Sequence, residues 1–125
     1  MSLREIAVRE GKKKPTRYYS DKQEKHVAKK FGGKQQPNSG ATPFAKGDVV
    51  LDNWLVECKT CTKNKDSFSI KKEWLEKNNK EALFIGKQYN TLGFNFGPNG
   101  KMYYILDENT FNEIINNMTD ANEVA

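Results

Sequence analysis

Histidine and cysteine are scarce: the 125 residues include one histidine, His26, and two cysteines, Cys58 and Cys61. A structural zinc site needs a full tetrahedral ligand set, usually two Cys or His pairs, and there is no second pair. Cys58-Lys59-Thr60-Cys61 is a C-x-x-C, but a thioredoxin-type motif opens a helix after a strand, whereas Cys58 reads as mid-strand. Cys58 is expected in the core and Cys61 as incidental, both as reduced thiols. His26 has no Ser or Cys partner suggested by local sequence and reads as a helix-surface residue. No apolar run approaches the roughly 20 residues of a membrane span, and the N-terminus has no signal-type hydrophobic region. No membrane association and a cytoplasmic location are therefore expected. There is also no internal repeat and no low-complexity domain.

What is present is charge. Lys and Arg number 21 against 16 Asp and Glu, for a formal net charge of +5. The isoelectric point is about 9.1 and the mean hydropathy −0.86. Such a chain is water-soluble in composition, long enough for one domain with its own core, and suited to polyanionic partners such as nucleic acid. Residues 1–19 read as a basic flexible arm. Gly and Pro break its cluster Gly11-Lys12-Lys13-Lys14-Pro15, and Arg17, Tyr18 and Tyr19 follow. Lys12, Lys13, Lys14 and Arg17 are candidate phosphate contacts, with the tyrosines available for packing or base stacking. The other reading of this arm is a solvated tail.

Residues 20–118 read as one domain and 119–125 as a frayed tail. Ser20 with Gln23 fits a capping box for a helix carrying Val27, Ala28 and Phe31, stopped by Gly32-Gly33. Ser69 fits the cap of a second helix running to about Ala82. Leu83-Phe84-Ile85 reads as a short buried strand. A hairpin over Gly93–Phe96 and Met102–Leu106 is expected about the turn Gly97-Pro98-Asn99-Gly100. No helix with Lys and Ser/Thr follows that turn, so it is not a phosphate-binding loop. Phe111, Ile114 and Ile115 support a last helix.

The informative segment is Gly47-Asp48-Val49-Val50-Leu51, Asp52-Asn53, Trp54-Leu55-Val56-Glu57-Cys58-Lys59. Two apolar runs around a turn pair predict a hairpin. With a two-residue loop at Asp52-Asn53, Asp48 falls opposite Glu57, with Cβ atoms about 4.5–5.5 Å apart on one face. Lys59, two residues on, shares that face. Opposed carboxylates repel unless a shared proton, a nearby cation or a bound metal intervenes. The ordinary alternative is an exposed sheet edge with a surface ion pair.

At these residues the chain resembles the PD-(D/E)XK nuclease superfamily: an acidic residue, a short spacer, then Glu57-Cys58-Lys59 on the next strand. Ser20-Asp21-Lys22-Gln23-Glu24, Gly32-Gly33, Pro37-Asn38-Ser39-Gly40-Ala41, Lys46-Gly47-Asp48, Glu57-Cys58-Lys59-Thr60 and Phe68-Ser69-Ile70 are similar to small phage and bacterial Holliday-junction-resolvase-like nucleases. The resemblance spans roughly residues 16 to 85. It departs at Gly47, where many members have Pro, and the hairpin from Gly93 to Leu106 matches no nuclease motif.

The resemblance implies an α/β, restriction-endonuclease-like fold, a mixed β-sheet flanked by helices. It implies a Mg²⁺-dependent (or Mn²⁺-dependent) DNA endonuclease acting on branched DNA. Asp48, Glu57 and Lys59 would be catalytic, with Asp48, Glu57 and Glu24 as metal ligands and Ser39 near a phosphate. If phage-encoded, the chain would work in the host cytoplasm. Two paired cuts on a four-way junction imply a two-fold homodimer, for which Phe94, Phe96, Tyr103 and Tyr104 are the candidate surface. The competing reading is a non-catalytic nucleic-acid-binding module, which gains nothing from two carboxylates facing a phosphate.

Overall fold

A computed structural model describes residues 16–36 and 48–124, with the side chains of residues 16–36 and 48–119. Three helices and five strands are described: α1 Thr16–Phe31, β1 Lys34–Gln35, β2 Asp48–Val50, β3 Trp54–Lys59, α2 Lys72–Phe84, β4 Tyr89–Phe94, β5 Tyr103–Ile105 and α3 Glu108–Val124. The strands form one sheet in the order β1-β2-β3-β4-β5. Only the β3–β4 pair is parallel, joined through α2; the other three pairs are antiparallel. The chain is therefore α/β with a mixed sheet.

The β2–β3 hairpin has the register its sequence predicts: Asp48 pairs with Glu57, Val49 with Val56 and Val50 with Leu55. The Leu51 N–H donates to the Trp54 carbonyl at 2.9 Å, which closes the Asp52-Asn53 turn. Val49, Val56 and Val27 of α1 form the centre of one core layer. Ala28, Leu51, Cys58, Met102 and Tyr104 pack around them. α1 ends where Gly32 adopts φ 70°, a conformation that favours glycine. Gly33 follows with no room for a Cβ, because the Leu51 side chain and the Val50 carbonyl lie against it.

Several boundaries depart from the sequence reading. α1 already runs at Thr16, so Arg17, Tyr18 and Tyr19 are helical rather than part of an arm. Ser20 does not cap it. The Ser20 hydroxyl donates back to the Arg17 carbonyl at 3.1 Å, as hydroxyl side chains do inside helices. α2 begins at Lys72 with Lys71 at its N-cap and no side-chain cap, so Ser69 lies outside it.

Leu83-Phe84-Ile85 is not a buried strand. Leu83 and Phe84 finish α2 and are 71% and 78% exposed. The inward face of α2 is Asn78, Glu81 and Ala82, and the helical period then turns the next two residues outward. β4 starts at Tyr89, four residues before the expected Gly93. Its first half is polar, and Thr91 is buried with its hydroxyl donating to the Ile105 carbonyl at 2.8 Å.

α3 continues to Val124, through the segment read as a frayed tail. Asp107 caps it, accepting the Thr110 N–H at 2.7 Å. That bond holds the Asp107 carboxyl below the usual range.

The aromatic residues assigned to a dimer surface mostly cover the sheet itself. Phe94 stacks on Phe68 at 5.0 Å between centroids and meets Phe96 and Tyr103 at 5.4 and 5.9 Å. Tyr104 packs on the core and edge-on to Phe31. The exposed apolar residues include Phe111, Ile115 and Met118 of α3. No helix of the described residues is long and apolar enough to cross a membrane.

Candidate active site

The site is built on the face of the β2–β3 hairpin that turns away from the valine layer. Pairing places the Asp48 and Glu57 side chains on the same face, and Lys59 joins them two residues on. The Lys59 ammonium lies 3.3 Å from Glu57 Oε1 and 4.2 Å from the centroid of the Trp74 ring on α2. A carboxylate on one side and an aromatic face on the other fix this long side chain. It is 26% exposed, so it can still reach a solvent-borne ligand.

Two further carboxyls converge from the helices. Glu24 of α1 is 5% exposed, and Glu81 of α2 is 6% exposed. Asp48 itself is 2% exposed. Burial, followed by the charges of Glu57, Glu81 and Glu24 and a hydrogen bond with Glu81, pushes the Asp48 carboxyl up to about 8. Burial and the Asp21 charge push Glu24 up to about 7, against an opposing hydrogen bond from Gln35. Glu81 is also raised, chiefly by burial, and Lys77 at 3.7 Å opposes that rise. At neutral pH Asp48 is protonated and donates to Glu81, because two ionised carboxylates in contact would repel.

Glu81 was missed in the sequence because it lies in a helix whose other faces are charged and exposed. The available signal was its spacing: Asn78, Glu81 and Ala82 at i, i+3 and i+4 define one face. Of the motif residues, Asp48, Glu57 and Lys59 share one face, and the Glu24 charge acts on Asp48. Arg17 is exposed on the first turns of α1. Lys12, Lys13, Lys14 and Ser39 lie outside the described residues.

Glu57 Oε2 is buried with no hydrogen-bond partner, and such an atom calls for a cation or a donor. The donors here are all carboxylate oxygens, the set that hard divalent ions such as Mg²⁺ take. Among the described residues, no three His, Cys, Asp or Glu side chains already converge as an ion's ligands, and the Asp48 carboxyl is engaged with Glu81. The residues fit Mg²⁺ in kind, and loading would require Asp48 to exchange its proton for the ion.

Both cysteines are free thiols. Burial and the surrounding carboxylates Glu24, Asp48 and Glu57 push the Cys58 thiol far up, which makes it inert as a nucleophile. Cys61, read as incidental, is 3% exposed and belongs to the packed interior.

Comparison of the chain with family models, curated proteins and solved structures returns no match.

Proposed function

We propose that this chain is a divalent-metal-dependent DNA endonuclease of the PD-(D/E)XK type, with a restriction-endonuclease-like fold and branched DNA as its substrate. The observation that carries the reading is the pairing of Asp48 with Glu57, with Lys59 on the same face and the Glu24 charge acting on Asp48. An exposed ion pair at a sheet edge would not bury the Asp48, Glu24 and Glu81 carboxyls around it.

Asp48, Glu57 and Glu24 would hold Mg²⁺. When bound, the ion supplies Lewis-acid polarisation of a phosphoryl oxygen and lowers the pKa of a coordinated water. Lys59 orients the attacking water and offsets the negative charge that grows on the phosphate. Glu57 and Trp74 position Lys59 for this. Glu81 accepts the hydrogen bond of protonated Asp48, and Lys77 balances the Glu81 charge; a bound ion would displace the Asp48 proton to solvent. The net charge of +5 favours a polyanionic substrate outside this acidic chamber.

Incubating the protein with linear, nicked, flapped and four-way DNA, with Mg²⁺ and with chelator, tests the reading. Cleavage that needs the ion and is lost in Glu57→Gln is the expected result. Cleavage of no substrate at any Mg²⁺ concentration would sink it. The resolvase subclass also requires a dimer, and light scattering with junction DNA measures that directly. A monomer that still nicks DNA would remove the subclass and leave the nuclease.

A further inference from the structure

A cleft of about 470 Å³ opens beyond the ends of β3 and β4, and the acidic site makes no use of it. Its size lies within the range of small-ligand clefts, about 300–1,000 Å³. One wall is the N-terminal half of α1, with Tyr18, Tyr19, Lys22 and His26. The segment after β4 also lines it, with Asn95. Among the described residues, none that lines the cleft is acidic.

Three features of the lining point to one ligand chemistry. The Tyr18 and Tyr19 rings meet edge to face at 5.4 Å and form an aromatic wall. Asn95 is 5% exposed, yet its Oδ1 has no hydrogen-bond donor. A buried amide oxygen left without a donor is uncommon in folded proteins. Lys22 and His26, one turn apart, place cationic or hydrogen-donating groups on the same wall. An aromatic face suits a planar ring, an orphaned acceptor suits a ring or exocyclic N–H, and the basic pair suits a phosphate. A nucleotide carries all three groups.

The cleft is also preformed. The Lys65 N–H donates to the Phe96 carbonyl at 2.7 Å, and the Asn64 side chain leaves no room for a Cβ at Gly97. Gln23 braces α1 against the end of β3. Its Nε2 donates to the Lys59 carbonyl at 2.8 Å and its Oε1 accepts from the Thr60 hydroxyl at 2.6 Å. Gln23 lines the cleft, and the next residue, Glu24, faces Asp48.

We propose that this cleft holds an unpaired nucleobase of DNA beside the acidic site. The base lies against the tyrosine wall and donates an N–H to Asn95, and its phosphate is held by Lys22 and His26. The proposal rests on the nuclease reading for the choice of DNA, and it selects substrates with an unpaired nucleotide near the cut.

The test is binding in chelator, where no cleavage occurs. The probes are a short single-stranded oligonucleotide carrying 2-aminopurine and a blunt duplex of the same sequence. The wild-type protein should change the base-analogue fluorescence on binding the single strand. Tyr19→Ala and Asn95→Ala should each weaken single-strand binding about tenfold, with duplex affinity unchanged. Tyr19→Leu, a change on the half-buried helix surface, keeps the test valid if Asn95→Ala fails to fold. Unchanged single-strand affinity in all folded variants would overturn the cleft proposal, even if the wild type cleaves DNA. Single-strand binding through the cleft by a protein that cleaves nothing would overturn the nuclease reading and leave the cleft. Equal weakening of duplex and single strand would show a general phosphate contact and overturn base recognition.

Discussion

Gln23 and Glu24 are neighbours on α1, almost isosteric and almost equally buried, at 6% and 5% exposure. They look into two different regions. Gln23 lines the cleft that has no acidic residue among those described, where its amide makes two strong hydrogen bonds and a third contact to the Met102 sulfur at 3.4 Å. Glu24 adds its charge to Asp48 of the acidic site, and burial followed by the Asp21 carboxylate on its own helix pushes it up to about 7. A buried neutral amide with its partners in place locks two elements together at little cost. A buried carboxyl among carboxyls stores repulsion that only a proton or a cation relieves. The first region is therefore complete as it stands, apart from Asn95. The second is complete only when something positive is added.

The largest effect that would break this contrast is on turnover. On the proposed nuclease reading, Asp48→Asn should lower divalent-dependent cleavage by about a thousandfold or more, since it would remove an anionic ligand from the ion. Unfolding of the metal-free variant at pH 8 should show no loss of stability, because the amide retains a donor for Glu81. Lys59→Ala should lower single-turnover cleavage by about a hundredfold. DNA affinity should fall little, as one lysine is a small part of a multi-phosphate contact. Wild-type rates from either variant would show that the acidic face is structural.

The next effect is on stability. Asp48 and Glu24 have folded pKa values of about 8 and about 7, above their ordinary 3.8 and 4.5. Between those values the folded state holds more protons than the unfolded state, so stability falls as pH rises. The penalty is absent below the ordinary values, grows through the neutral range and is complete above about pH 8. Urea unfolding in chelator should therefore show a loss on the order of 5 kcal/mol between pH 5 and pH 8. Mg²⁺ at pH 8 should restore part of it, by mass action on the folded state. A flat or rising profile in chelator would mean that the carboxyls are already neutralised by other means.

Exchanging the two neighbours sharpens the comparison further. Gln23→Ala should destabilise the protein by about 2 kcal/mol, because the Thr60 hydroxyl loses its acceptor and the Lys59 carbonyl its donor. Glu24→Gln should be neutral or stabilising in chelator at pH 8 and should cost metal affinity. Opposite signs in the same denaturation experiment are the expected outcome. The smallest effect belongs to the exposed end of α2. Leu83→Gln should change stability by less than about 0.5 kcal/mol, whereas a buried strand there would lose several times that.

Local pattern was enough for the hairpin. Asp52-Asn53 between two apolar runs set a register, and register alone decides that Asp48, Glu57 and Lys59 share a face. It was also enough for the stop at Gly32-Gly33 and for reading Cys58 as a residue packed on the core. Helix starts were less legible. Ser20 has the residue type of a cap, but the helix had already begun, and a hydroxyl can bond to its own helix as easily as to a free N–H. Leu83-Phe84-Ile85 has the composition of a strand, and only the inward face of α2 shows that these residues turn to solvent. The polar start of β4 gave no periodic signal, because its hydrogen bonds come from neighbours distant in sequence.

The sequence by itself thus determined the pairing of two carboxylates with a lysine, since contiguous strands and a short turn leave little freedom. It also determined the basic charge and the poverty of zinc ligands. Tertiary structure alone decided that Glu81 joins Asp48, that Gln23 and Glu24 part into different regions, and that Tyr19 and Asn95 line one cleft. Those relations join α1, α2 and the sheet across long stretches of chain. They depend on packing angles and burial, which no local spacing encodes.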